Sequence, residues 1–379
     1  MKVLLLDTAF GALPIYDALL ATGHDVWVMG NRSPDVIAQR AQERWIDQNY
    51  SDVPAVEAHV LAGGFSRVIP GCTDVSIATC CCLSVMQGHM DSSDTNAAIS
   101  DKARFRDISA RLGMRAPRVV TPETLPKTGR LICKPVDSFS GRGISIFEAS
   151  ESWALEQAME VARAASPSKR FVIEIFVEGQ LHSCTGFLEG GRLLDTLYVV
   201  EGSSANPFAV DTSYVTDDVP MNCRIELENS LEALAAELDL ADGLLHTQFI
   251  LAKDGAYVVE VSRRCPGDLY SLLIEYSTGY CYAARYVSFF LGTTTASTNN
   301  NRRHILRHTV TSDADTVYCG LKVQYPLPIY SFFPLQSMGQ KLLARQGNRA
   351  GIIFCEAVDK PDLAKMYQQF LDRRAYTVD

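Results

Sequence analysis

Residues 134–143, Lys134-Pro135-Val136-Asp137-Ser138-Phe139-Ser140-Gly141-Arg142-Gly143, decide how this chain is read. The lysine ends an apolar run at 131–134 that suits a strand, and a loop of small residues follows. An ammonium group is a compact point charge that suits a phosphate. Glycines let backbone N–H groups reach phosphate oxygens with no Cβ in the way. Ser138, Ser140, Gly141 and Gly143 would line such a loop, and loops of this kind close over bound nucleotides. Taken by itself, the stretch also fits a surface turn that carries a solvated lysine.

Further on comes Phe171-Val172-Ile173-Glu174-Ile175-Phe176-Val177-Glu178-Gly179, an apolar run with a carboxylate inside it. A buried carboxylate needs a partner. The exocyclic amine of adenine is one, with the backbone of Ile175, Phe176 and Val177 beside the ring edge. A glutamate on an edge strand, facing water, is the other reading. Next, His246-Thr247-Gln248 and Glu260-Val261-Ser262-Arg263-Arg264 flank the turn Lys253-Asp254-Gly255, as two antiparallel strands would. Alternation puts Glu260, Ser262 and Arg264 on one face, with Gln248 equally far from the turn on the partner strand. Mg²⁺ takes hard oxygen ligands, often one or two carboxylates together with substrate phosphates, so Gln248, Glu260 and Ser262 form a candidate metal set. Arg264 would grip a carboxylate or phosphoryl group in its fork. A plain cross-strand salt bridge is the alternative.

The order of these parts resembles the ATP-grasp superfamily: carboxylate–amine ligases and the relatives of biotin carboxylase and carbamoyl phosphate synthase. That family's D-K-x-x-x-R helix looks like Asp101-Lys102-Ala103-Arg104-Phe105-Arg106, ending near Gly113 and Pro117. Its second lysine and glycine-rich loop resemble Lys134 to Gly143, its adenine hinge Glu174 to Gly179, and its metal strand, E-x-N-x-R-x-x-G, Glu260 to Gly267. The resemblance implies that Lys102 and Lys134 contact ATP phosphates, that Glu174, Ile175, Phe176 and Val177 hold adenine, and that Gln248, Glu260 and Ser262 hold Mg²⁺. It implies an acyl phosphate, with Arg264 and Lys134 in catalytic roles, and small-molecule carboxylate and amine substrates. Three positions depart from the pattern. Gln248 stands for the usual Glu, Ser262 for Asn, and Leu181 for a carboxylate that holds the ribose, with His182 beside it as the substitute. Asp268, where many relatives carry a second glycine, Arg263 and Arg307 are candidate substrate contacts; an ion pair of Asp268 with Arg263 or Arg285 is equally open.

The same resemblance sets the fold class as α/β and α+β. It consists of a Rossmann-like pre-ATP-grasp domain over 1–95, a two-lobed ATP-grasp domain over 96–298 and a C-terminal α+β subdomain over 299–379. The residues agree at the N-terminus, where 3–6 and 26–29 suit strands and 13–21 a helix, with further strands expected at 67–69 and 76–78. No G-x-G-x-x-G occurs there, so a dinucleotide fingerprint is missing. Residues 90–97 are polar and mark a boundary, as do 299–301, and 202–218 reads as a long polar loop near the substrate.

With 379 residues, 47% hydrophobic and 21% charged, the chain suits two or three globular domains. A net charge of -9 disfavours nucleic acid and membrane surfaces as partners. Eleven cysteines, an odd count without C-x-x-C spacing, fit reduced thiols in a cytoplasmic protein. A homodimer is expected from the frequency of dimers among such relatives. Two other functions fit the same motifs: a bicarbonate-activating carboxylase resembling biotin carboxylase, and a regulatory protein that binds ATP at a degenerate site.

Overall fold

The computed structural model describes residues 1–121, 124–138, 141–293, 302–345 and 348–379. Its N-terminal part is a parallel sheet in the order Trp45–Asp47, Asp25–Gly30, Lys2–Leu6, Arg67–Pro70. Val3 to Leu6 are fully buried, as a strand covered on both faces requires. Two expectations fail here. Residues 76–78 lie in the helix Asp74–Cys80, whose first turn is capped by Thr73 accepting from the Ser76 N–H. Residues 93–97 belong to the helix Ser93–Ser100, capped in the same way by Ser92. The Ser/Asp/Thr cluster that suggested a loop is a helix start, where such side chains satisfy orphan N–H groups.

A four-stranded antiparallel sheet follows, in the order Val119–Val120, Phe171–Ile175, Arg130–Pro135, Ser145–Glu148. The helix Ser152–Ala165 covers it through Ala154, Ala158 and Ala162. The third sheet has eight antiparallel strands, ordered Gly255–Ser262, Gly243–Ala252, Gln180–Glu189, Arg192–Gly202, Thr212–Thr216, His304–Val310, Gly351–Ala357, Ile329–Pro334. The turn between Gln180–Glu189 and Arg192–Gly202 rests on Gly190 and Gly191, both at positive φ. The expected loop 202–218 is shorter than that, because Gly202 ends one strand and Thr212–Thr216 is another. Beyond residue 301, His304–Val310, Ile329–Pro334 and Gly351–Ala357 extend this same sheet, His304–Val310 pairing directly with Thr212–Thr216, while Thr316–Val317 with Lys341–Leu342 and Leu321–Val323 with Tyr376–Val378 form two small separate pairs. The polar break at 299–301 lies outside the described residues.

One core joins the N-terminal sheet to the large one, running from Leu4 and Ile69 through Tyr282 and Tyr286 to Ile305 and Phe354. Consecutive arginines tie the same two parts by charge. Arg263 Nε meets Asp91 at 2.8 Å, and Arg264 forks onto Asp74 at 2.8 and 3.1 Å. Among the described residues no helix is long and apolar enough to cross a membrane, and all eleven cysteines are unbonded.

Candidate active site

The four-stranded sheet supplies one wall of a cleft. Ile132 pairs with Glu174 and Lys134 with Val172, so Lys134 and Glu174 are diagonal neighbours on one face. Lys134 Nζ lies 2.7 Å from Glu174 Oε2, and Arg106 Nε lies 2.7 Å from Oε1. Glu174 has no exposed surface. Burial pushes its carboxyl up, but the charges of Lys134 and Arg106 outweigh that and hold it below the ordinary range. Both oxygens face cations, which corrects the expectation that Glu174 receives adenine. Its partner is the lysine, which it orients. Phe176 and Val177 do line the cleft, whereas the Ile175 and Phe176 N–H groups are bound to the carbonyls of Arg118 and Arg130.

Asp101 caps the helix Lys102–Arg111 by accepting from the Ala103 and Arg104 N–H groups. Lys102 and Arg106, four apart, therefore project from one helix face toward this sheet. Lys102 Nζ donates to the Ser138 carbonyl at 3.1 Å. Burial pushes Lys102 below the ordinary lysine range; Glu260 opposes that shift, and Lys134 adds to it. The glycine-rich loop is braced where it is described. Ser138 Oγ donates to the Arg142 carbonyl at 2.7 Å. Gly141 and Gly143 sit at φ +70° and +74°, which L side chains rarely adopt. A Cβ on Gly141 would stand 2.6 Å from Phe208 and one on Gly143 2.4 Å from Ala165. Ser140 lies outside the described residues.

The opposite wall is the edge of the large sheet. Gln248 and Glu260 are direct cross-strand partners, as are His246 and Ser262. Glu260 is exposed to the cleft, and Gln248, Ser262 and Arg264 line it too. The enclosed volume is about 1000 Å³, ample for a nucleotide with a second small molecule. Arg264 is held by Asp74, the first residue of the helix Asp74–Cys80. Ser262 Oγ accepts from the Arg264 N–H at 3.3 Å. Among the described residues there is no cluster of three or more Asp, Glu, His or Cys, so any Mg²⁺ here would rely on Glu260, the Gln248 amide oxygen and substrate oxygens. One carboxylate and one amide oxygen at adjacent register positions fit that requirement.

Of the other expected contacts, Arg263 and Asp268 border the cleft, whereas His182 and Arg307 are not part of its lining. His182 is buried with its ring stacked on Phe249 and Nδ1 at 3.0 Å from the Gln180 carbonyl; burial holds it below the ordinary histidine range. Strand alternation turns Leu181 toward the cleft and His182 away, so His182 is not placed for a ribose. The Arg263 guanidinium is engaged by Asp91 and by the carbonyls of Leu244 and Ala241. Arg307 is buried, donating to Ser213 Oγ at 2.9 Å and to the Asp268 carbonyl at 3.1 Å. Asp268 pairs with Arg349 at 2.5 Å and more loosely with Arg307 at 3.8 Å, in place of Arg263 or Arg285. Arg285 instead meets Glu189. The loop between Arg192–Gly202 and Thr212–Thr216 does line the cleft, through Asn206 and Phe208.

Sequence reading overlooked Glu201. It sits at the end of Leu197-Tyr198-Val199-Val200, a carboxylate in an apolar run, the same signal that drew attention to Glu174. It is buried and accepts a hydrogen bond from Gln248 Nε2. Burial raises its carboxyl to about 7, against the opposing effects of Ser183, Arg307 and Gln248.

The model of the ATP-grasp domain family matches residues 128–271. Over that segment the chain is similar to ATP-grasp domains. A search of curated protein sequences gave no match. Among solved structures, an L-amino acid ligase from Bacillus licheniformis superposes with a TM-score of 0.80 at 15% identity, covering 100% of this chain and 98% of the other. Phosphoribosylglycinamide synthetase from Anaerococcus prevotii gives 0.74 at 14%, covering 100% and 99%. A biotin carboxylase–ATP complex from Campylobacter jejuni gives 0.70 at 13%, covering 96% and 89%. At such identities the likeness is one of fold. It takes in the N-terminal sheet and the strands beyond 301 as well as residues 128–271, so the whole chain shares the fold of these structures.

Proposed function

We propose that this protein is an ATP-dependent ligase that joins a small carboxylate to an amine and releases ADP and phosphate. The observation that carries the reading is the pair of facing walls. Lys102 and Lys134 stand on one side, Glu260, Gln248 and Arg264 on the other, about a cleft of roughly nucleotide size. Phosphoryl transfer depends mainly on positioned charge of this kind. Phe176 and Val177 would flank adenine, and the glycine-rich loop would cover the phosphates.

Mg²⁺ bound at Glu260 and Gln248 would offset charge on the phosphate oxygens. Lys134, oriented by Glu174, and Lys102 would stabilise the γ-phosphate as the substrate carboxylate attacks it and ADP departs. Arg264, held by Asp74, has its remaining N–H donors for the acyl phosphate. Attack by the amine then expels phosphate and leaves the amide. Closure of the loop against Phe208 excludes water, which would hydrolyse the acyl phosphate.

Lys134→Ala and Glu260→Ala test the assignment. Each is expected to lower substrate-dependent ADP release by at least about 10²-fold, the usual scale for removing a charge that stabilises a transition state. Normal rates in both folded variants would refute it.

A further inference from the structure

We infer that Glu201 is the positioning residue that turns the Gln248 amide oxygen into the cleft, so that the neutral side chain at position 248 is held from directly behind as a ligand. The inference rests on the ligase reading above. A polar row crosses the floor of the large sheet on one face. Glu260 pairs with Gln248, Gln248 with Ser183, Glu201 with Ser213, and Ser213 with Arg307. Ser183 pairs with Val199, two residues before Glu201, so the row steps diagonally there and stays on the same face. Only Glu260 and Gln248 reach the cleft; Glu201 is buried and cannot bind a ligand there itself.

Its contact is directional. Gln248 Nε2 donates to Glu201 Oε2. Reversing the amide would set its oxygen against a carboxylate, so the Gln248 oxygen is turned the other way, beside Glu260. A neutral ligand thus gains a fixed orientation. Groups behind a metal ligand act in this way, fixing the ligand's geometry and raising its donor strength. Burial of Glu201 is offset in part by Ser183, the Arg307 charge and Gln248, which fix the carboxyl group in place. Ser183 is fixed in turn by the Tyr270 hydroxyl at 3.0 Å.

The test uses Mn²⁺ as the probe, titrated into the full chain with ATP and read by the paramagnetic resonance of free and bound metal. Glu201→Gln is expected to weaken Mn²⁺ binding by about 10–100-fold, the usual effect of removing a group behind a metal ligand. The exchange Glu201→Gln with Gln248→Glu should recover most of it, because the carboxylate then sits at the ligand position itself. A merely structural role for Glu201 would lower the melting temperature of Glu201→Gln without moving its Mn²⁺ affinity. If Glu201→Gln does not fold, Glu201→Asp withdraws the charge by one methylene and is expected to weaken Mn²⁺ in the same direction. Unchanged affinity in the folded variant, or no recovery in the exchange, overturns the inference alone. Wild-type protein that bound no Mn²⁺ with ATP would refute the ligase reading, and this inference with it.

Discussion

At Glu174 three charges meet in a site closed to water: one carboxylate, Lys134 on one oxygen and Arg106 on the other. A buried pair of this kind contributes little net stability over an apolar replacement, but removing one partner leaves an uncompensated charge. Arg106→Ala should therefore cost about 3–5 kcal/mol of stability, read by denaturant unfolding. A cost near zero would mean that Lys134 alone suffices for Glu174. The residue scale is also where sequence reading was most uneven. Lys102, Lys134, Gln248, Glu260 and Arg264 were legible because each sits in a short pattern, and the structure gathers all five around one cleft. The partners that orient them were not. Asp74 lies 190 residues from Arg264 in the chain, and Glu201 lies 47 from Gln248. Only the fold brings such pairs together. His182 misled because a ring one position along a strand points to the opposite face.

At the scale of elements, the hairpin about Lys253-Asp254-Gly255 was readable from turn chemistry. Helix starts rich in polar residues were not. The helix Met221–Glu237 starts after Pro220 with no side-chain cap to mark it. Its buried face, Cys223, Leu227, Leu231 and Leu234, is interrupted by charged neighbours that hide the period. The glycine-rich loop and the 203–211 loop meet at Gly141 and Phe208. Gly141→Val would need a rare backbone conformation and would collide with Phe208. The expected result is a KM for ATP raised at least about tenfold, or some 1.4 kcal/mol of lost binding, with the melting temperature little changed. Unchanged KM would show that this contact does not shape the nucleotide site.

At the scale of the whole molecule, the fold class and the order of the parts were legible, because the motifs follow one another in sequence as they do around the cleft. The merging of the last strands into the large sheet was not, since pairing between His304–Val310 and Thr212–Thr216 spans most of a hundred residues with no local signal. Global stability carries a pH signature from the same burial. His246 is pushed down to about 3, chiefly by burial and also by Arg264. An unfolded histidine takes up its proton near pH 6.5, whereas the folded one stays neutral, so this contribution is intact above 6.5 and is lost as pH falls toward 3. Melting temperatures at pH 7 and pH 5 should therefore differ less in His246→Gln than in the wild type. An equal difference in the two proteins would contradict the assignment.

The central claim is chemical: two small molecules are joined at the expense of ATP. Its most direct measurement is ADP release together with mass spectrometry of the product, using ATP, Mg²⁺ and pooled carboxylates and amines. The account predicts ADP that appears only when carboxylate and amine are both present, matched by a new mass equal to their sum less one water. ADP release driven by bicarbonate without an amine, or bound ATP with no turnover under any condition, would contradict it.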